Sequence, residues 1–125
     1  MNEGERYSKR NKKGGDLEMK IVAVTACTVG IAHTFMAQKA IEDECEKRGF
    51  EYKVETQGGY GADNELDDDD IESADGVLLA VDVGIEGDER FDDKRDEGRV
   101  LTVGSANVIR DAAAVIDSLL EQIGE

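Results

Sequence analysis

Proline is absent from the 125 residues, cysteine occurs twice and histidine once, and basic side chains are half as numerous as acidic ones, 15 against 30. Without proline, no turn has its φ locked in advance. Two cysteines, Cys27 and Cys45, are too few for a disulfide scaffold. The formal charge of −15 argues against general affinity for nucleic acid or anionic membranes, which are anionic themselves. It fits a salt-adapted surface or an ordinary acidic cytosolic protein. No apolar run approaches the roughly 20 residues that cross a bilayer, and no charged-then-apolar leader precedes the folded part. Direct membrane insertion is therefore not expected, and the chain reads as cytoplasmic.

What is present suffices for one domain, with 39% hydrophobic residues against 36% charged. Residues 1–18 read as a flexible polar tail or linker, with a docking arm as the other reading; Arg6, Lys9, Arg10, Lys12 and Lys13 gather there and Gly14-Gly15 close it. Residues 19–125 alternate strand and helix. Ile21-Val22-Ala23-Val24 and Val77-Leu78-Leu79-Ala80-Val81 are apolar without alternation, as in strands covered on both faces. Phe50, Tyr52 and Val54 alternate with Glu51, Lys53 and Glu55, which predicts a half-exposed edge strand; Arg99 to Val103 form a second amphipathic one. The expected fold class is α/β, a small four-stranded parallel sheet in the order 2-1-3-4 with helices on both faces, a Rossmann-like three-layer sandwich. One helix is expected from about residue 31 to 48, ended by Gly49, another from Ser105 to the end, and a charged loop between Asp82 and Gly98. Asp67 to Asp70 lack calcium-loop spacing and read as the capped start of a short helix.

The chemistry concentrates at Thr25-Ala26-Cys27-Thr28-Val29-Gly30-Ile31-Ala32-His33-Thr34. A central strand, a cysteine-bearing turn and a helix N-terminus follow one another, at the carboxyl end where such sheets bind ligands. A helix N-terminus offers unsatisfied N–H groups and partial positive charge to an anion, and favours thiolate over thiol. A nucleophile beside an anion cradle points to phosphoryl chemistry on Cys27. Gly30 brings the backbone close to a phosphate, and the Thr28 and Thr34 hydroxyls add donors. Cys45 instead continues an apolar helix stripe through Ile41 and reads as core. His33 reads either as a donor to the bound phosphate or as a capping or packing residue. Arg90 reads as a phosphate ligand or as a surface partner of Asp88, Asp92 or Asp93; the Gly58–Gly61 loop reads as a border of the sugar or partner, or as a tight turn. No metal-ligand cluster is visible and no cofactor is implied.

Thr25-Ala26-Cys27, Gly30-Ile31-Ala32-His33-Thr34 and Met36-Ala37, followed by Val54-Glu55-Thr56-Gln57-Gly58, Asn64-Glu65-Leu66 and Arg90-Phe91, resemble the fructose-specific enzyme IIB domain of the phosphoenolpyruvate-dependent sugar phosphotransferase system. The resemblance spans residues 19–125. It implies a phosphotransferase in which Cys27 accepts a phosphoryl group from a phosphohistidine of enzyme IIA. The group then passes to fructose as the membrane enzyme IIC imports it, giving fructose 1-phosphate. Residues 28–34, namely Thr28, Val29, Gly30, Ile31, Ala32, His33 and Thr34, would form the phosphate-binding loop. The family loop usually reads Cys-Pro-Thr-Gly; here Thr28-Val29 stand in its middle, which frees the turn and removes a hydroxyl from position 29. Two other functions share the cysteine loop. One is a regulatory module phosphorylated on Cys27 that passes nothing to a sugar. The other is a low-molecular-weight cysteine phosphatase, which needs an arginine six residues after the cysteine, where this chain has His33.

Overall fold

The computed structural model describes residues 19–27, 31–58 and 61–124. The tail 1–18 lies outside the described residues, as do Thr28, Val29 and Gly30 of the cysteine loop and positions 59 and 60.

Strand β1 (Lys20–Ala26) is the centre of the sheet, and Ile21 to Val24 are each fully buried. Helix α1 (Ile31–Arg48) buries Ala37, Ile41 and Cys45, and its Lys47 and Arg48 lie at the negative end of the helix dipole. Gly49 ends it in the left-handed region (φ 76°), with the Phe50 N–H donating to the Cys45 carbonyl at 2.9 Å. Then follow β2 (Glu51–Gly58), β3 (Gly61–Asp63), α2 (Asp68–Ser73), β4 (Gly76–Val81), a 3-10 turn (Asp88–Phe91), α3 (Asp92–Asp96), β5 (Val100–Val103), α4 (Ser105–Arg110) and α5 (Ala112–Ile123).

The sheet has five strands in the order β3-β2-β1-β4-β5. The parallel strands β2, β1, β4 and β5 stand in the order the apolar runs predict, but the expected all-parallel sheet is incorrect: β3 adds an antiparallel edge. It pairs Thr56 to Gly58 with Asp63 to Gly61, so β2 is an edge strand only over its first half. Glu55, Thr56 and Gln57 are buried, where alternation alone would have left them half-exposed; the Leu66 N–H and Arg90 hold Glu55, and the Glu86 backbone holds Gln57.

Side chains alternate across the sheet. Ile21, Ala23, Leu78 and Ala80 pack on one face with Ala37, Ile41, Val108, Ile116 and Leu119 from α1, α4 and α5. Val22, Val24, Val77 and Leu79 pack on the other with Leu66, Ile71 of α2 and Phe91. Two expectations change. The 82–98 loop contains the 3-10 turn and α3, held down by the fully buried Phe91 and by Lys94, whose Nζ donates to the Ala74 carbonyl at 2.8 Å. The C-terminal helix is two helices, broken at Asp111 (φ −157°), whose carboxylate instead caps α5 by accepting from the Ala114 N–H at 3.1 Å.

Asp67 caps α2 reciprocally: its carboxylate accepts from the Asp70 N–H at 2.9 Å, and that of Asp70 accepts from the Asp67 N–H at 3.0 Å. Asp67→Ala removes one of these bonds and is expected to cost about 1 kcal/mol of stability in denaturant unfolding, with an unchanged slope.

Candidate functional site

Cys27 is the first residue beyond β1, and α1 begins at Ile31. The β1–β4 ladder continues one residue past β4, with the Asp82 N–H donating to the Ala26 carbonyl at 2.9 Å, and this sets Asp82 beside Cys27. His33 lies in the first turn of α1, its Nδ1 3.0 Å from the Cys27 Sγ and 3.2 Å from the Ser105 Oγ. Ser105, fully buried, opens α4 just after β5. Its hydroxyl donates to Asp82 Oδ2 at 2.6 Å and its backbone N–H donates to Oδ1 at 3.1 Å. Four side chains from the carboxyl ends of three parallel strands and the start of one helix thus meet at one point.

Proton accounting orients this cluster. Ser105 has one hydroxyl proton and gives it to Asp82, so toward His33 its oxygen can only accept. That places a proton on His33 Nδ1, in reach of the Cys27 sulfur as well. His33 thus stands against the Cys27 sulfur and the Ser105 hydroxyl. The Asp82 carboxyl is held below the usual carboxylate range, first by the Ser105 hydroxyl and next by a hydrogen bond from Cys27.

Of the other predicted residues, Ala32 is exposed at the helix start, and Thr34 is buried with its carbonyl accepting from the Thr25 hydroxyl at 3.3 Å. Cys45 is fully buried in the core, and burial pushes its thiol up to about 12.

Arg90 does neither of the things its position suggested. Nη1 and Nη2 grip the two Glu55 carboxylate oxygens at 2.8 and 3.1 Å. Its remaining donors go to the carbonyls of Gly87, Leu66 and Glu86 at 2.7, 3.0 and 3.1 Å. All five guanidinium N–H groups are engaged, leaving none for a phosphate. The surface acids Asp88 and Asp92 pair with Arg95 instead, at 2.6 and 3.1 Å.

Sequence reasoning missed Asp82 and Ser105. The available signal was their position, one residue beyond β4 and two beyond β5, at the end of the sheet that holds Cys27. It also saw no metal-ligand cluster, whereas the fold brings ligand atoms of Cys27, His33 and Asp82 within 4.8 Å of one another.

Comparison with known proteins shows the family of the chain. The family profile described as "PTS system, Lactose/Cellobiose specific IIB subunit" matches residues 22–118. The "PTS system fructose-like EIIB component 2" of Escherichia coli K12 is 43% identical over 100 residues, covering 80% of this chain and 91% of the relative. The "PTS system fructose-specific EIIB'BC component" of Vibrio cholerae is 49% identical over 76 residues, 61% of this chain and 13% of that much longer protein. Among solved structures, a domain of the fructose-specific IIABC component of Borrelia burgdorferi superposes with a TM-score of 0.75 at 42% identity, covering 84% of this chain and 96% of that one. The chain belongs to the IIB family of the phosphotransferase system (PTS). Those relatives are named as fructose-like and fructose-specific components, where the broader profile names lactose and cellobiose. Among the described residues, no helix is long and apolar enough to cross a membrane.

Proposed function

We propose that the chain is a phosphocarrier in which the Cys27 thiolate attacks the phosphorus of a phosphohistidine on an enzyme IIA partner. The S–P bond forms as the P–N bond breaks, and the histidine leaves. A fructose hydroxyl then attacks the phosphocysteine, the S–P bond breaks, and the thiolate returns as enzyme IIC, in the membrane, imports the sugar. The chain would act on the cytoplasmic side. The observation that carries this reading is the Cys27 sulfur at the carboxyl end of β1, ahead of the 18-residue helix α1 and 3.0 Å from the His33 imidazole.

Each neighbour has a task in this scheme. The helix start and the 28–34 backbone spread the charge of the phosphoryl oxygens. The His33 Nδ1–H donates to the sulfur or to a phosphoryl oxygen on it. Asp82 and Ser105 hold that imidazole proton in place. Phosphatase action is disfavoured, because the position six residues after Cys27 is His33 and Arg90 has every donor committed.

Intact-mass spectrometry after incubation with phosphorylated IIA is the test. One phosphoryl group per chain is expected, mapping to Cys27 and absent from Cys27→Ser. No gain would overturn the carrier reading. A gain without onward transfer to fructose in IIC-containing membranes would leave the regulatory module, and transfer to lactose in preference to fructose would overturn the sugar.

A further inference from the structure

We propose that Cys27, His33 and Asp82 form a site for one Zn²⁺ ion, and that zinc occupancy blocks phosphorylation of Cys27. The blocking half rests on the phosphocarrier reading; the site does not.

The three ligand atoms, a thiol sulfur, an imidazole nitrogen and a carboxylate oxygen, all lie within 4.8 Å of one another. Sulfur and nitrogen ligands select zinc over calcium or magnesium, which prefer all-oxygen shells. Three protein ligands leave the fourth tetrahedral position to water. With Zn–S near 2.3 Å and Zn–N near 2.0 Å, a tetrahedral ion needs sulfur and nitrogen about 3.5 Å apart. Cys27 Sγ and His33 Nδ1 stand at 3.0 Å. Half an ångström of separation, within reach of small side-chain rotations, would admit the metal.

The outer partners are already built. Ser105 donates to both Asp82 oxygens, orienting the carboxylate while leaving lone pairs for an ion. Asp82 is exposed, so the ion has a path from solvent, and the net charge of −15 draws cations toward the chain. On binding, the Cys27 thiol proton passes to water and the ion replaces the proton on His33 Nδ1, leaving the ring neutral with its proton on Nε2. A sulfur whose lone pair is given to zinc cannot attack phosphorus, so the two occupants exclude each other.

The full chain, stripped with EDTA, is titrated with Zn²⁺ against a chromophoric competitor and with Co²⁺ under visible spectroscopy. The expected result is one ion per chain, with tetrahedral cobalt bands and a sulfur-to-cobalt charge-transfer band. Cys27→Ser, His33→Gln and Asp82→Asn should each weaken binding at least tenfold, while Asp43→Asn, on the exposed face of α1, should leave it unchanged. The wild-type cobalt spectrum reports sulfur ligation by itself, so a variant that fails to fold does not remove the test. No bound ion, several weak ions, or a cobalt spectrum without the sulfur band would overturn the site and assign any binding to surface carboxylates. With phosphorylated IIA, the zinc-loaded chain should gain no phosphoryl group until EDTA is added. Equal gain with and without zinc would overturn the exclusion, and no gain in either state together with intact one-to-one zinc binding would count against the phosphocarrier reading alone.

Discussion

Arg90→Ala is expected to remove about 3–4 kcal/mol of folding stability, a large share of the 5–15 kcal/mol typical of a domain. Glu55 is 1% exposed, and its partner's removal leaves an ionised carboxylate buried without a counter-charge. The guanidinium also holds the carbonyls of Leu66, Glu86 and Gly87, and lies 5.1 Å from the Phe91 ring centre. Truncation therefore loosens the 82–98 segment as well as the ion pair. Arg90→Lys would recover little, because one ammonium cannot serve five fixed acceptors. The pH dependence distinguishes this mechanism from simple loss of packing. Burial pushes the Glu55 carboxyl up, but hydrogen bonds from Arg90, Gln57 and the Leu66 N–H together outweigh it and hold it below its ordinary value. In the wild type, that contribution is complete above the unfolded-state value of about 4.3 and is lost as pH falls through the lower folded value. Without Arg90, burial prevails and the folded value rises above the unfolded one. The variant should then gain stability as pH falls from 7 toward 5, where the wild type stays level. Urea titrations at pH 7 and pH 5 measure this; a variant equally destabilised at both would assign the loss to packing.

The same network shows where sequence reasoning stops. Val54 to Gly58, Asn64 to Leu66 and Arg90-Phe91 stood out as separate motifs, and the fold joins them: Glu55 accepts from Arg90, 35 residues away, and from the Leu66 N–H, 11 away. Nothing local marks Glu55 as buried, because two of the groups that close around its carboxylate, Arg90 and the Leu66 N–H, come from other segments. Gly87 is a similar case. Its φ of +72° lets the chain turn under Arg90, and an added Cβ would collide with the guanidinium, yet in the sequence it is one glycine in a charged loop. What was legible had strong local signals. The two apolar runs became the central strands β1 and β4, and Cys27 follows directly at the carboxyl end of β1. His33 was visible as the lone histidine six residues past Cys27. Its partner Ser105 lies 72 residues further on and comes near only because β5 is added outside β4.

The two cysteines should separate function from stability. Cys27→Ser is expected to lower fructose phosphorylation with IIA and IIC at least about 10³-fold, because a serine hydroxyl is not ionised at pH 7 whereas an ordinary cysteine is a few per cent thiolate and intrinsically far more nucleophilic. Stability should change by no more than about 0.5 kcal/mol, since Cys27 is only half-buried and serine keeps the small polar shape. Cys45→Ala should do the opposite. Its sulfur is fully buried among Ala37, Ile41 and the strand residues of the same face, so truncation leaves a small cavity worth about 1 kcal/mol while phosphoryl transfer continues at the wild-type rate. Cys45→Ser should be worse than Cys45→Ala, by about 1 kcal/mol or more, because it buries a hydroxyl in an apolar layer. Alkylation gives an independent check: iodoacetamide should modify Cys27 in the folded chain and reach Cys45, whose thiol burial pushes up to about 12, only on unfolding. If Cys45→Ala abolished transfer in a chain that still unfolds cooperatively near its expected midpoint, the division of labour would be wrong and the phosphoryl acceptor would have to be sought again. If Cys27→Ser alone does so, the nucleophile is fixed by its place on the sheet: the cysteine in the core braces α1 against the strands, and the one at the strand's end does the chemistry.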